Sequence, residues 1–287
     1  MSKKQGLLLF ILLAGALALP LWFVQQPREP IYQGRPLSSW LPDLEDWDGD
    51  TNNIAFVAFR EMGTNAIPEL LNVIQSGGPP IQRWILELNK KQSVVNLPFG
   101  TPWHQTMAAT WGLYAMGTNA KPALEVMTNL LFHTNALISS ATVLAGIGLE
   151  GVPSLLAALT NQNDHIRYSA ASGLAWERSN FEAVVPALIA SLQDKNRLVQ
   201  IAAIISLGQL HAKPELVVPA LINAFTNNDA LLRSSVLISL GEFEVGATDS
   251  VPMVMTALND SDETVRASAG FAIKKIDPET AKKAGIK

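Results

Sequence analysis

The residues able to do chemistry are few and scattered in this 287-residue chain. His104, His133, His165 and His211 lie in different stretches, with no H-E-x-x-H and no close pair among them, so their spacing composes no zinc site. There is no cysteine, which removes thiolate ligands, disulfides and thiol nucleophiles and is compatible with an oxidising compartment. Ser, Asp and His occur without a G-x-S-x-G elbow, and no G-x-x-x-x-G-K-[ST] phosphate loop is present. The acidic run Asp43 to Asp50 lacks the ligand spacing of an EF-hand and reads as a solvated rim. The expectation is a non-enzyme with no catalytic residue, no cofactor and no metal site. What remains is contact chemistry. Trp84, Trp103 and His104 are the candidate partner-binding residues, because tryptophan is enriched at interface hot spots and all three fall in an irregular stretch. Glu177 breaks an otherwise apolar column; it reads as a solvent-facing residue or as the mark of a polar contact surface.

The elements that must position these residues belong to a folded chain, since 48% apolar against 16% charged residues is too hydrophobic for disorder. Lys3 and Lys4 precede an apolar leader; beyond it, residues 25–287 carry 19 basic against 25 acidic groups. That balance argues against a nucleic-acid partner. Gly6 to Val24 holds no charge, and at about 1.5 Å per residue it reaches roughly 28 Å, close to the bilayer core of about 30 Å. With Lys3 and Lys4 held in the cytoplasm, the rest of the chain would face outward. Two readings stand: a membrane anchor through residues 6–24 with a periplasmic, extracytoplasmic body, or a signal peptide cleaved after Ala16-Leu17-Ala18 and a secreted body. The apolar run continuing through Val24 favours the anchor. A buried core helix is disfavoured by the basic flank and the terminal position.

Residues 25–50 form a linker and N-terminal cap in which Leu37, Trp40, Leu41 and Leu44 share one helical face, shortened by Pro42. From residue 51 the chain repeats. One apolar column reads Phe59, Leu113, Leu144, Leu174, Leu207, Leu240 and Ile273; three residues later a second reads Met62, Met116, Ile147, Glu177, Leu210, Phe243 and Ile276. The steps of 54, 31, 30, 33, 33 and 33 residues suit helix-pair repeats, with an insertion at about 76–101 inside the long first step. That insertion contains Trp84 and reads as a loop helix patched onto the repeats or as a binding loop. Pro68, Pro122, Pro153, Pro186, Pro219 and Pro252 are expected to open the second helices. Gly63, Gly117 and Gly148 are expected to stop the first helices in a left-handed conformation, with longer turns replacing them in later units. Ala170, Ala171, Ala202, Ala203, Ala267 and Ala269 supply small residues for close helix approach.

The run Asp262-Glu-Thr-Val-Arg266-Ala-Ser-Ala-Gly-Phe-Ala-Ile273 resembles the HEAT-repeat pattern, and Asn163/Arg167, Asn196/Gln200 and Asp229/Arg233 hold matching positions upstream. The first member can cap a helix; the second can reach back or bond across units. Tyr32, Gly34, Leu37, Trp40 and Leu41 are similar to a segment of exported bacterial HEAT-repeat proteins that begin with an apolar leader. The resemblance implies an all-α, right-handed alpha-solenoid of about six helix pairs over residues 51–277, with a transmembrane or signal helix before it and a cap at 278–287. It also implies a noncatalytic scaffold binding an unknown protein partner on a concave second-helix face. The alternative it suggests is a HEAT-like lyase or pigment-binding protein, although no cysteine or acid/base cluster supports one. Nucleic-acid binding, known among HEAT-like glycosylases, is opposed by export and by the negative body.

Overall fold

The computed structural model describes residues 29–44, 50–76, 102–133, 137–225 and 229–286. The expected leader at residues 6–24 and Trp84 lie outside them. Among the described residues no helix is long and apolar enough to cross a membrane.

The body is all-helical and built from helix pairs. The first helices are α1 (Ile54–Met62), α3 (Pro102–Ala115), α5 (Leu137–Ile147), α7 (Asp164–Leu174), α9 (Arg197–Leu210), α11 (Ala230–Glu242) and α13 (Glu263–Ile276). Their partners are α2 (Ile67–Ser76), α4 (Leu124–His133), α6 (Val152–Ala158), α8 (Phe181–Ser191), α10 (Pro214–Ala224) and α12 (Val251–Ala257), and α14 (Pro278–Lys283) follows the last first helix. Every member of the first apolar column, Phe59 through Ile273, is 0% exposed. Large apolar residues recurring at one register bury a continuous seam, each worth about 1.5–3 kcal/mol of transfer free energy.

Helix starts follow from side-chain caps. Asn53, Asn163, Asn196, Asp229 and Asp262 each accept a hydrogen bond from a backbone N–H of the first turn they precede. Helix ends divide the chain in two. Gly63, Gly117 and Gly148 have positive φ of 59°, 56° and 77°, as their type requires. In the later units the same register holds His211 and Glu244, at φ 48° and 49°, where a Cβ makes the conformation costly by about 1–2 kcal/mol.

The prolines divide the same way. Pro68, Pro153 and Pro252 sit at the second residue of their helices, whereas Pro122 lies in the 3-10 turn Gly117–Ala123 ahead of α4. Pro186 and Pro219 correct the expectation, because α8 and α10 begin five residues before them and carry the proline inside. The extra residues of those units become helical turn rather than loop.

First helices pack closely along the chain and second helices barely touch one another. A Cβ on Gly173 would fall 2.5 Å from Ala141 Cβ, and one on Gly208 would fall 2.8 Å from Ser239 Cβ. Hydroxyls fasten the same row, with Ser206 Oγ donating to Ala171 O at 2.8 Å and Ser239 Oγ to Ile204 O at 3.0 Å. Ala170, Ala171, Ala202, Ala203 and Ala269 are buried in it, but Ala267 is exposed. In a curved stack the more tightly spaced row lies inside the bend, so the first helices line the concave side. The expected concave second-helix face is thus the outer one.

At the N-terminal end, a two-residue hairpin pairs Ile31–Tyr32 with Arg35–Pro36 through Gln33 and Gly34, both at positive φ. Leu37, Trp40, Leu41 and Leu44 follow in 3-10 turns and bury themselves against α1 and α3. They close the stack as their spacing suggested, though not as an α-helix.

Candidate functional site

Of the three partner-binding candidates, Trp84, Trp103 and His104, only His104 has its side chain among the described residues. Trp103 lies in the first turn of α3, with its side chain outside the described part, and His104 beside it is exposed. His133, His165 and His211 are exposed on separate units. No described group of three or more His, Asp or Glu residues is placed to hold a metal ion.

The HEAT-type polar pairs are structural. Arg167 spans two units: Nη1 donates to Asn161 O and Gln162 O, while Nε and Nη2 meet the two Asp194 carboxylate oxygens at 2.7 and 2.9 Å. Arg233 repeats the fork on Asp260 at 2.9 and 2.8 Å. Among the described residues Gln200 donates to Asp194 O, and Arg266 to the carbonyls of Asp260 and Ser261 rather than to a carboxylate. The Arg167 hydrogen bonds hold the Asp194 carboxyl below the usual carboxylate range, and Arg233 does the same to Asp260. These side chains tie the edges of consecutive units.

Glu177 corrects both readings of it. It is fully buried, and its Oε1 accepts from Ser179 N at 2.6 Å, Ser179 Oγ at 2.7 Å and Asn180 N at 2.9 Å, fastening the turn into α8. Beside it the half-buried rings of Trp111, Tyr114 and Trp176 pack edge to face, with centroids 4.7–6.0 Å apart. Tyr114 Oη donates to Trp176 O at 3.1 Å, and burial pushes its phenol above the ordinary value against the opposing pull of Arg178. The cluster bridges α3 to the end of α7 across Gly146, where a Cβ would fall 2.6 Å from the Tyr114 ring.

Farther along the same row the concave side turns aliphatic. Ile205, Ile238 and Phe271 are 42%, 43% and 42% exposed at one register on α9, α11 and α13. Leu198 and Leu231, seven residues earlier on α9 and α11, are 51% and 47% exposed. Scattered exposed apolar residues are ordinary, but adjacent ones at a fixed register form a contiguous patch of the kind that marks interaction sites. Lys275 Nζ lies 4.9 Å from the Phe271 ring centroid and 2.9 Å from Glu242 Oε1. Glu242 also faces His211 Nε2 at 3.6 Å, on the rim of a cleft of about 380 Å³ lined by His211, Pro214, Glu242, Phe243 and Glu244. The ladder went unremarked in the sequence because its members sit two residues before the core column. The signal was there: 205, 238 and 271 repeat the 33-residue period, and α9 is apolar around most of its circumference.

With this geometry in view, the similarities to known proteins can be stated. The chain is similar, at 17% identity over 86% of its length and 70% of the other, to a crystal structure of an engineered protein, with a TM-score of 0.41. A second engineered protein is 16% identical over 84% of this chain and 96% of its own, TM-score 0.39. Human deoxyhypusine hydroxylase in complex with glycerol is 17% identical over 85% and 96%, TM-score 0.38. No curated protein matches the chain. Residues 152–241, the part containing α6 to α11, match the family model for HEAT repeats.

Proposed function

We propose that this chain is a noncatalytic scaffold for protein-protein interaction, held by residues 6–24 at a membrane with its repeats facing outside the cytoplasm. The observation that carries the reading is the concave row of first helices, whose exposed apolar residues recur at the repeat period while Arg167 and Arg233 are paired between units. A surface of that kind offers area and shape rather than an acid, a base or a nucleophile. The leader supports the location, because an uncharged run of bilayer length behind two lysines favours insertion with the body exported.

Chemical crosslinking in native membranes followed by mass spectrometry tests the reading. Recovery of one protein in defined stoichiometry with the repeats is expected. Recovery of none, together with copurification of a stoichiometric pigment or small molecule, would replace the scaffold by the ligand-binding alternative. Protease added on the outer side of the cytoplasmic membrane should digest the repeats, and protection there would refute the orientation.

A further inference from the structure

We propose that the concave ladder on α9, α11 and α13 seats one amphipathic helix of a protein partner, laid across the three helices with apolar residues at heptad spacing and acidic residues at its α13 end. The inference rests on the scaffold reading and adds to it a place and a partner chemistry.

The spacing selects a helix. Packed helices stand about 8–10 Å apart, so Ile205, Ile238 and Phe271 form rungs at about that interval. A helix advances about 10.5 Å in seven residues, which places one apolar side chain per rung at i, i+7 and i+14. An extended strand repeats a face every 6–7 Å, roughly, and falls out of step after one rung. Leu198 and Leu231 lie one further heptad along α9 and α11 and give the bound helix a second line of contact. The ladder ends upstream at Ser172, the residue one period before Ile205, so the seat is three rungs wide and fits a helix of about fifteen residues.

Charge selects its orientation. On α9 and α11 the charged residues near the ladder are already paired: Arg197, beside Leu198, with Asp229, Arg233 with Asp260, and Glu242 with Lys275. At the Phe271 end the last turn of α13 carries Lys274 and Lys275, and Lys282 and Lys283 follow on α14. Asp277 and Glu279 lie among these four lysines, which still leaves this end net positive in a chain of net charge -4. An acidic helix terminus placed there gains attraction and is steered into one polarity. Concavity disfavours a flat lipid surface, which would meet the rims before the rungs.

The test uses the full chain in phosphatidylcholine nanodiscs and a fluorescein-labelled synthetic helix of about fifteen residues, with leucine at i, i+7 and i+14 and glutamates at one end. Anisotropy is expected to show binding that Ile205→Lys or Ile238→Lys weakens by about tenfold or more, with an unchanged unfolding midpoint. Lys274→Glu should weaken the acidic-ended peptide and favour one whose glutamates are replaced by lysines. Absence of binding, equal binding of a permuted peptide of the same composition, or indifference to the ladder substitutions overturns the proposal. Sedimentation that shows a dimer dispersed by Ile238→Lys assigns the face to a second copy instead, and vesicle binding lost in that variant assigns it to lipid. A partner recovered by crosslinking at other residues, with this peptide unbound, leaves the scaffold standing and removes only the seat.

Discussion

The row of first helices and the row of second helices are built from the same repeat, yet one is clasped and the other is spread. Along the first row, Gly173 and Gly208 bring backbones together, Ser206 and Ser239 donate across the gap, and the Arg167–Asp194 and Arg233–Asp260 forks close the edge between units. The second helices are joined more sparsely, by Thr128 Oγ1 to Ser154 Oγ at 3.1 Å and by Lys213 to Glu182, and α8 and α10 carry an internal proline that costs each a helical hydrogen bond. The unequal spacing gives the solenoid its bend. Stability and the proposed binding face therefore reside in the same row, so the contacts that set the curvature also set the interval between rungs.

Five substitutions break or sharpen this contrast. Asp194→Ala leaves the Arg167 guanidinium, 5% exposed, without its carboxylate and should cost about 3–5 kcal/mol by denaturant unfolding. The same pair sets an acid limit. Because the folded Asp194 and Asp260 carboxyls lie below their ordinary value of 3.8, their stabilisation is complete above it and drains away as pH falls through the folded pKa. The unfolding midpoint should drop below about pH 4, and less steeply in the Asp194→Ala protein.

Leu207→Ala, at the seam between the rows, should cost about 2–5 kcal/mol; an unchanged midpoint would reject the core assignment. Gly173→Ala pushes a methyl into Ala141 and should cost about 1–3 kcal/mol, whereas Ala190→Leu on the exposed side of α8 should stay within about 0.5 kcal/mol. Equal effects in the two rows would erase the distinction. Smallest is Glu244→Gly, which relieves a left-handed Cβ and should raise stability by roughly 0.5–1 kcal/mol in thermal unfolding.

Much of the fold was legible because its determinants are periodic. Phe59 through Ile273 recur at one register, and Gly63, Gly117 and Gly148 announced positive φ because few other residues adopt it cheaply. His211 and Glu244 take the same conformation against their type, since the packed helices on either side dictate the turn. The site was less legible. Glu177 looked like a surface residue because carboxylates are seldom buried, and only the converging N–H and hydroxyl groups of Ser179 and Asn180 make its burial tolerable. Leu198 and Ile205 gave no sign of their exposure, since an apolar residue on an apolar helix carries no label for the face it occupies.

Sequence by itself determined the helix pairs, their period, their caps and the apolar seam, because each is a local property of residue type at a fixed spacing. Tertiary structure decided which row clasps and which spreads, that Glu177 turns inward, and that Ile205, Ile238 and Phe271 form one exposed ladder. Those outcomes depend on distances between side chains of neighbouring units, and such distances exist only after the units have stacked.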